Sequence, residues 1–171
     1  MRSRPVSSPP RIEVPGPGQE SVWDFPRPPR VEASSRRIRV EFGGVPLVDS
    51  RRSVRVLETS QPPVYYVPAE DIRMEHLVAS NRHTWCEWKG LASYYDVVVG
   101  GRRCENAAWY YPDPTLPYKE IRGYVAFYPN AMDACFVDEE RVQPQPGDFY
   151  GGWITRDVVG PFKGGPGTAD W

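Results

Sequence analysis

The sequence predicts an all-β protein, a meander of short antiparallel strands. Its 171 residues include 20 prolines and 15 glycines. Because proline inside a helix costs about 3 kcal/mol, this composition leaves little room for long helices. β-branched and aromatic residues stand in short runs between these breakers, which is the pattern of strands. The pairs Gly43-Gly44 and Gly100-Gly101 each separate two such runs, as hairpin turns do.

The first predicted strand, residues 36–42, shows the alternation most clearly. Ile38, Val40 and Phe42 alternate with charged residues, so one face is apolar and the other polar. The elements predicted after it are the turn at 43–44, strands at 45–48, 53–58 and 64–67, and one helical turn at 68–71.

The second half of the chain continues in the same way. The elements predicted there are extended segments at 72–78 and 83–88, a strand at 94–99, the turn at 100–101, strands at 102–111 and 123–128, a strand or helix at 132–137, and one helical turn over 156–159 capped by Thr155. About eight to ten short strands joined by tight turns predict sheets that fold over themselves or close partly into a barrel.

The domain organisation follows from the distribution of proline and glycine. Residues 1–20 are rich in proline, glycine and serine and are predicted to form a disordered leader. Trp23 and Phe25 interrupt the following proline-arginine segment, so residues 21–35 are predicted to be an arm packed on the domain. Residues 36–171 are predicted to form a single β domain that ends in a glycine- and proline-rich loop.

Composition and charge exclude several classes of protein. Residues 1–39 carry eight arginines and four acidic residues, whereas the remainder carries 13 basic and 18 acidic residues. This weakly acidic body argues against nucleic acid as the main partner. No apolar run approaches the roughly 20 residues that cross a bilayer, and the N-terminus has no secretory apolar segment. Three widely spaced cysteines argue against a disulfide framework and for the cytoplasm.

Aromatic residues are concentrated in the middle of the chain. Twelve of the sixteen tryptophans and tyrosines fall within residues 64–128. Strand alternation places Tyr94, Trp109, Tyr111 and Tyr124 on the face opposite the predicted core. Such a face is either a second small core beneath the C-terminal tail or the wall of a ligand pocket, and the sequence leaves both alternatives open.

Three ionisable residues border this aromatic segment. Lys89 precedes Gly90 at a predicted turn, where it is either a solvated lysine or a partner for an anionic or carbonyl-bearing ligand. Glu58 continues the apolar face of its strand, so it is either a turn-capping carboxylate or a group at a cleft. Asp113 stands between two prolines and is either a turn former or an acidic group at the pocket edge.

A structural metal site is not expected. Zinc sites of this kind use paired Cys-x2-Cys or Cys/His ligands, and the chain has no Cys-x2-Cys pair. His83 and Cys86 have the spacing of half a site, which Cys104 and Cys135 could complete only if the fold brought them near. No metal and no cofactor are therefore predicted.

Four motifs make the chain resemble a bacterial and fungal family known as domain of unknown function 427 (DUF427). They are LETSQPPVYYVPAEDIRME, CEWKGLASYYDV, AAWYYPDP and GYVAFY, and with the flanking segments the resemblance covers about residues 20–171. It implies a β-tent fold similar to the ligand-binding domain of cereblon, which binds cyclic imides in a tryptophan cage, usually beside a structural zinc. Some members are labelled nucleotidyltransferase-like, but this sequence has no glycine-rich phosphate loop and no closely spaced aspartate pair.

Three hypotheses of function follow. The first is a small-molecule-binding protein, monomeric or homodimeric, with a pocket lined by Glu58, Tyr66, Lys89, Tyr94, Trp109, Tyr111, Asp113 and Tyr124. The second is an enzyme acting on a small polar or nucleotide-like substrate, with Glu58, Lys89 and Asp113 as acid–base groups. The third is an interaction module that recruits a partner through the proline-arginine arm.

Overall fold

Three antiparallel sheets make up most of the structure, a computed structural model that describes residues 10–171. The strands are β1 (Glu20–Ser21), β2 (Arg30–Ala33), β3 (Ile38–Phe42), β4 (Val45–Ser50), β5 (Val54–Leu57), β6 (Val64–Tyr66), β7 (Leu77–Cys86), β8 (Gly90–Val99), β9 (Arg102–Tyr110), β10 (Val125–Phe127), β11 (Ala134–Val137), β12 (Glu140–Arg141), β13 (Gln143–Pro144), β14 (Trp153–Ile154) and β15 (Val158–Val159). Four 3-10 helices span Val22–Asp24, Ala69–Asp71, Met74–His76 and Leu116–Ile121. The predicted all-β class is confirmed.

The sheets are defined by their strand order. The central sheet has the order β10-β9-β8-β7, the outer sheet β12-β11-β3-β4, and the small sheet β2-β5-β6. Two pairs complete the structure, β13 with β14 and the parallel pair β1 with β15. Within residues 10–171 the sheets do not close into a barrel.

The central sheet contributes side chains to an apolar core on each of its faces, although its edge strand β7 is largely exposed. On one face Val97 packs with Ile38, Val40 and Phe42 of the outer sheet. On the other face Tyr94 belongs to a second core that includes Val54 and Val56 of the small sheet. The predicted alternation along the strands is confirmed, because side chains two residues apart enter the same core.

The two glycine pairs form the predicted hairpin turns. Gly43 and Gly100 have positive φ angles of 59° and 57°, which residues with a Cβ rarely adopt. At Gly43 a Cβ would also lie 2.8 Å from the side chain of Val99. The turn between β3 and β4 therefore needs glycine for both its conformation and its packing.

Two parts of the predicted element order were wrong. The segment at 72–78 contains a 3-10 turn at Met74–His76, and the segment at 83–88 is not a separate element but largely the end of one strand, β7, whose register shifts between Ala79 and His83. This irregularity interrupts the alternation that marks a continuous strand in the sequence. The helical turn over 156–159 is a tight turn between β14 and β15, in which the Thr155 hydroxyl donates to the Asp157 carboxylate.

The segment predicted to be an arm contributes strand β2 to the small sheet. Before it, the Trp23 indole donates a 2.9 Å hydrogen bond to the carbonyl of Pro161. The first nine residues of the predicted leader lie outside the described part of the chain, and the division into leader, arm and domain stays a prediction. Among the described residues, no helix combines the length and the apolar character that crossing a membrane requires.

Candidate functional site

A cavity of about 400 Å³ lies between the aromatic face of the central sheet, the small sheet and the C-terminal loop. This volume is within the usual range of small-molecule sites, about 300–1,000 Å³. Nine of the lining residues are aromatic. The lining consists of Val56, Glu58, Gln61, Pro62, Val64, Tyr66, Thr84, Trp85, Cys86, Glu87, Trp88, Lys89, Ala92, Tyr94, Trp109, Tyr111, Tyr128, Phe149, Tyr150 and Lys163.

The deepest wall consists of rings held by one another and by hydrogen bonds. The indole Nε1 of Trp109 donates a 3.2 Å hydrogen bond to the hydroxyl of Tyr66, and the two rings meet edge to face. Trp109 also lies against Tyr128, with 4.5 Å between ring centroids. The Tyr94 hydroxyl pairs with Thr84 Oγ1 at 2.9 Å. These contacts fix the orientation of the rings, so the wall is largely pre-formed.

The C-terminal loop forms the opposite side of the cavity. The Tyr128 hydroxyl donates a 2.7 Å hydrogen bond to the carbonyl of Phe149. Gly151 follows with a φ of 73°, and a Cβ at this position would lie 2.7 Å from the Trp109 ring and 2.8 Å from the Tyr128 ring. The loop backbone therefore packs directly on the aromatic wall, and only glycine permits that approach. Phe149 remains 48% exposed at the mouth.

Lys89 brings a positive charge into this apolar cavity. It stands in the turn between β7 and β8, and its carbonyl accepts a 3.1 Å hydrogen bond from the Thr115 amide, which holds the turn in place. Its Nζ lies 5.6 Å from the centroid of the Tyr111 ring, within the range of a cation–π contact. The side chain is half-buried.

The pKa of Lys89 is raised above its ordinary value. Burial is the largest influence and acts to lower it, but this is outweighed by groups that act to raise it, among them the carboxylate of Glu58. Lys89 is therefore a protonated ammonium at neutral pH. A protonated amine can attract an anion or donate hydrogen bonds, but it cannot act as a nucleophile or a base.

The phenols around Lys89 are neutral. Burial is the main reason that the pKa values of Tyr66, Tyr111 and Tyr128 are all raised. A neutral phenol is both a donor and an acceptor of hydrogen bonds. The cavity thus presents flat apolar surfaces, hydroxyl groups and a fixed cation.

Glu58 is engaged by the arm. Its Oε2 accepts hydrogen bonds from Arg27 Nε at 3.3 Å and from Gln61 Nε2 at 3.1 Å. Arg27 also donates to the carbonyl of Thr59 at 3.0 Å. The carboxylate thus lies at the cavity edge with its charge partly balanced by a guanidinium.

The structure brings six of the eight sequence-predicted site residues to one cavity. They are Glu58, Tyr66, Lys89, Tyr94, Trp109 and Tyr111. Asp113 does not line it, because it stands exposed in the loop behind Gly90. Tyr124 does not line it either, since it follows the 3-10 helix Leu116–Ile121 at another part of the second core. That these residues bind a ligand remains a prediction.

Sequence reasoning missed several lining residues. Tyr128 shares the strand face predicted for Tyr124, so alternation alone could have included it. Phe149, Tyr150 and Lys163 come from the loop predicted only to close the domain. For Phe149 and Tyr150 the signal was the aromatic and glycine content of the sequence FYGGW at residues 149–153, whereas Lys163 lies outside it.

His83 and Cys86 do not form part of a metal site among the described residues. Within residues 10–171 no group of three or more His, Cys, Asp or Glu side chains could hold a metal ion. His83 Nδ1 instead lies 3.2 Å from the Ser93 hydroxyl. Cys86 lines the cavity, whereas Cys135 is buried in the first core. The acid–base set Glu58, Lys89 and Asp113 is also divided, because Asp113 lies outside the cavity.

A family model matches residues 30–138 of the chain, more than half of its length. The model is described as a domain of unknown function, DUF427. The chain belongs to the DUF427 family. The predicted resemblance is confirmed, and the sequence comparison with curated proteins gives no match.

The DUF427 match covers strands β2 to β11 and therefore most of the cavity wall. The remaining lining residues, Phe149, Tyr150 and Lys163, come from the chain after residue 138. In this protein the DUF427 segment thus provides the aromatic wall and Lys89, and the C-terminal loop provides the cover.

Proposed function

We propose that this DUF427 protein binds a small organic molecule in the aromatic cavity. The observation that carries the proposal is the cavity of about 400 Å³ with nine aromatic lining residues beside a lysine. Ligand sites combine predominantly apolar walls with a few polar groups that orient the ligand, and this lining has that composition.

The organisation of the wall supports binding rather than simple packing. The Trp109–Tyr66 hydrogen bond and the contact of Gly151 with the Trp109 ring hold the rings in place. The cavity is open to solvent where Trp85 and Phe149 are exposed, so a ligand can reach the rings from outside.

A thermal-shift screen of the whole protein tests the proposal. The panel contains nucleosides, cyclic imides, aromatic acids, sugars and nucleotides. A ligand present at a hundred times its Kd stabilises the folded state by about 2.7 kcal/mol, which raises Tm measurably. We expect at least one class of flat organic molecule to raise Tm in a saturable manner.

Two matched variants locate the binding. Val64 lines the cavity and is half-buried, whereas Val78 lies on β7 away from the cavity and is 42% exposed. Val64→Trp fills the cavity and should abolish the Tm shift, while Val78→Trp should retain it. A shift that survives Val64→Trp, in a variant whose near-ultraviolet circular dichroism shows a folded protein, would contradict binding in the cavity.

A further inference from the structure

We infer that the ligand of this cavity is an anion with a flat organic body, and that Lys89 selects it by charge. The inference rests on the proposed function, since it specifies the ligand class of the same site. The charge distribution of the cavity carries the argument, and its size and shape define the rest of the ligand.

The first step is that Lys89 is a cation that forms no direct ion pair with a carboxylate. It takes part in none of the ion pairs that the structure forms within residues 10–171. Its Nζ lies over the Tyr111 ring, 5.6 Å from the centroid. A half-buried charge without a direct ion-pair partner is costly, and an anion entering the cavity would relieve that cost.

The second step is that the neighbouring carboxylate does not compensate this charge fully. Glu58 shares its Oε2 with Arg27 and Gln61. The lining carries two lysines, Lys89 and Lys163, and two glutamates, Glu58 and Glu87. Because Glu58 is paired with Arg27 from outside the cavity, its charge is already partly neutralised, which favours an anion beside Lys89.

The third step concerns the body of the ligand. A bare inorganic anion would occupy little of a cavity of about 400 Å³, and such a cavity matches a molecule of several rings. Trp85 and Phe149 line the cavity and are 71% and 48% exposed, so their rings are open to contact by a ligand. Flat aromatic or conjugated bodies bury well against such rings.

A pair of fluorescent probes with one skeleton tests the charge selection. Anilinonaphthalene sulfonate carries a sulfonate, and N-phenylnaphthylamine is its uncharged counterpart. We expect the wild-type protein to bind the sulfonate about ten- to a hundredfold more tightly than the neutral probe. This is the difference in affinity that a hydrogen bond to a charged group usually gives.

Variants of two lysines assign the selection to one residue. Lys89→Met keeps the length of the side chain without its charge and should reduce sulfonate affinity to that of the neutral probe, while the neutral probe binds as before. Lys89→Arg should restore most of the preference. Lys119→Met removes an exposed lysine of the 3-10 helix outside the cavity and should change neither affinity.

The outcomes separate this inference from the proposed function. If both probes bind the wild-type protein with equal affinity and a ligand from the thermal-shift panel displaces them, charge selection is overturned but the cavity remains a binding site. A preference for the sulfonate that persists in Lys89→Met would overturn the role of Lys89. If neither probe binds, the inference is overturned. If, in addition, no compound of the thermal-shift panel raises Tm, the proposed function is overturned as well.

Discussion

The indole nitrogen of Trp109 on β9 donates a 3.2 Å hydrogen bond to the hydroxyl of Tyr66 on β6. Trp109 is 6% exposed and Tyr66 1%, so the bond is buried. It joins the central sheet to the small sheet at the wall of the cavity. The same two side chains therefore stabilise the second core and define the surface that a ligand would contact.

Tyr66→Phe tests the energetic role of this bond. The substitution keeps the ring but leaves the buried Trp109 donor without its acceptor, which costs about 1–3 kcal/mol. Urea unfolding followed by tryptophan fluorescence should show this loss in the free energy of unfolding. Tyr124→Phe is the matched control, because Tyr124 is a half-buried tyrosine of the same core outside the cavity, and it should change stability by less than about 0.5 kcal/mol. Equal effects of the two variants would contradict the role of the bond.

Gly151→Ala tests the close packing of the C-terminal loop. The new methyl group would meet the Trp109 ring at 2.7 Å, and the positive φ of 73° adds backbone strain. Gly100→Ala isolates the strain, because Gly100 has a φ of 57° and open space around it. We expect Gly100→Ala to cost about 1–2 kcal/mol and Gly151→Ala to cost more, with a changed near-ultraviolet circular dichroism of the tryptophans. Equal losses of stability in the two variants, with unchanged spectra, would contradict close packing of the C-terminal loop on Trp109.

Alternation predicted the faces of the strands well because it is a local property of the chain. Ile38, Val40 and Phe42 entered the first core as expected, and Tyr94 and Trp109 entered the second. The sequence could not decide between a second core and a pocket wall. In the structure Tyr94, Trp109 and Tyr111 belong to the second core and also line the cavity, whereas Tyr124 packs against that core without lining it.

The parts that sequence reasoning missed depend on contacts between distant segments. The path of the C-terminal loop over Trp109 is determined by Gly151 and by the Tyr128–Phe149 hydrogen bond, neither of which leaves a periodic pattern. Asp113 was assigned to the cavity because it follows Tyr111 closely, but the chain turns away after β9. Proximity in sequence is a weak guide to side-chain direction once a strand has ended.

Acid sensitivity should arise from aspartates held by arginines and amides. Asp96 accepts hydrogen bonds from the Asn106 amide at 2.8 Å and from Arg103 at 2.7 Å, and the Asn106 amide is the main reason that the pKa of Asp96 is lowered. The pKa values of Asp71 and Asp133 are lowered mainly by Arg52 and Arg102.

The sign of the pH dependence follows from these lowered values. A carboxyl group with a lowered folded-state pKa stabilises the protein above its unfolded pKa of about 3.9 and loses that contribution as pH falls through the folded value. We therefore expect Tm to be steady from about pH 7 to pH 5 and to fall below about pH 4. Asp96→Asn should lower stability at pH 7 by about 1–3 kcal/mol and make the acid-induced fall shallower. An unchanged acid profile in this variant would contradict the role of Asp96.

The measurement that tests the central claim most directly is a nuclear magnetic resonance titration of the tryptophan indole N–H signals with anilinonaphthalene sulfonate. Trp85, Trp88 and Trp109 line the cavity, whereas Trp153 lies in the first core and donates its indole N–H to the Phe127 carbonyl. The account predicts saturable shifts of the cavity signals, including Trp109, while the Trp153 signal stays in place. A titration that leaves Trp109 unmoved, or that moves it only together with Trp153, would contradict binding in the cavity.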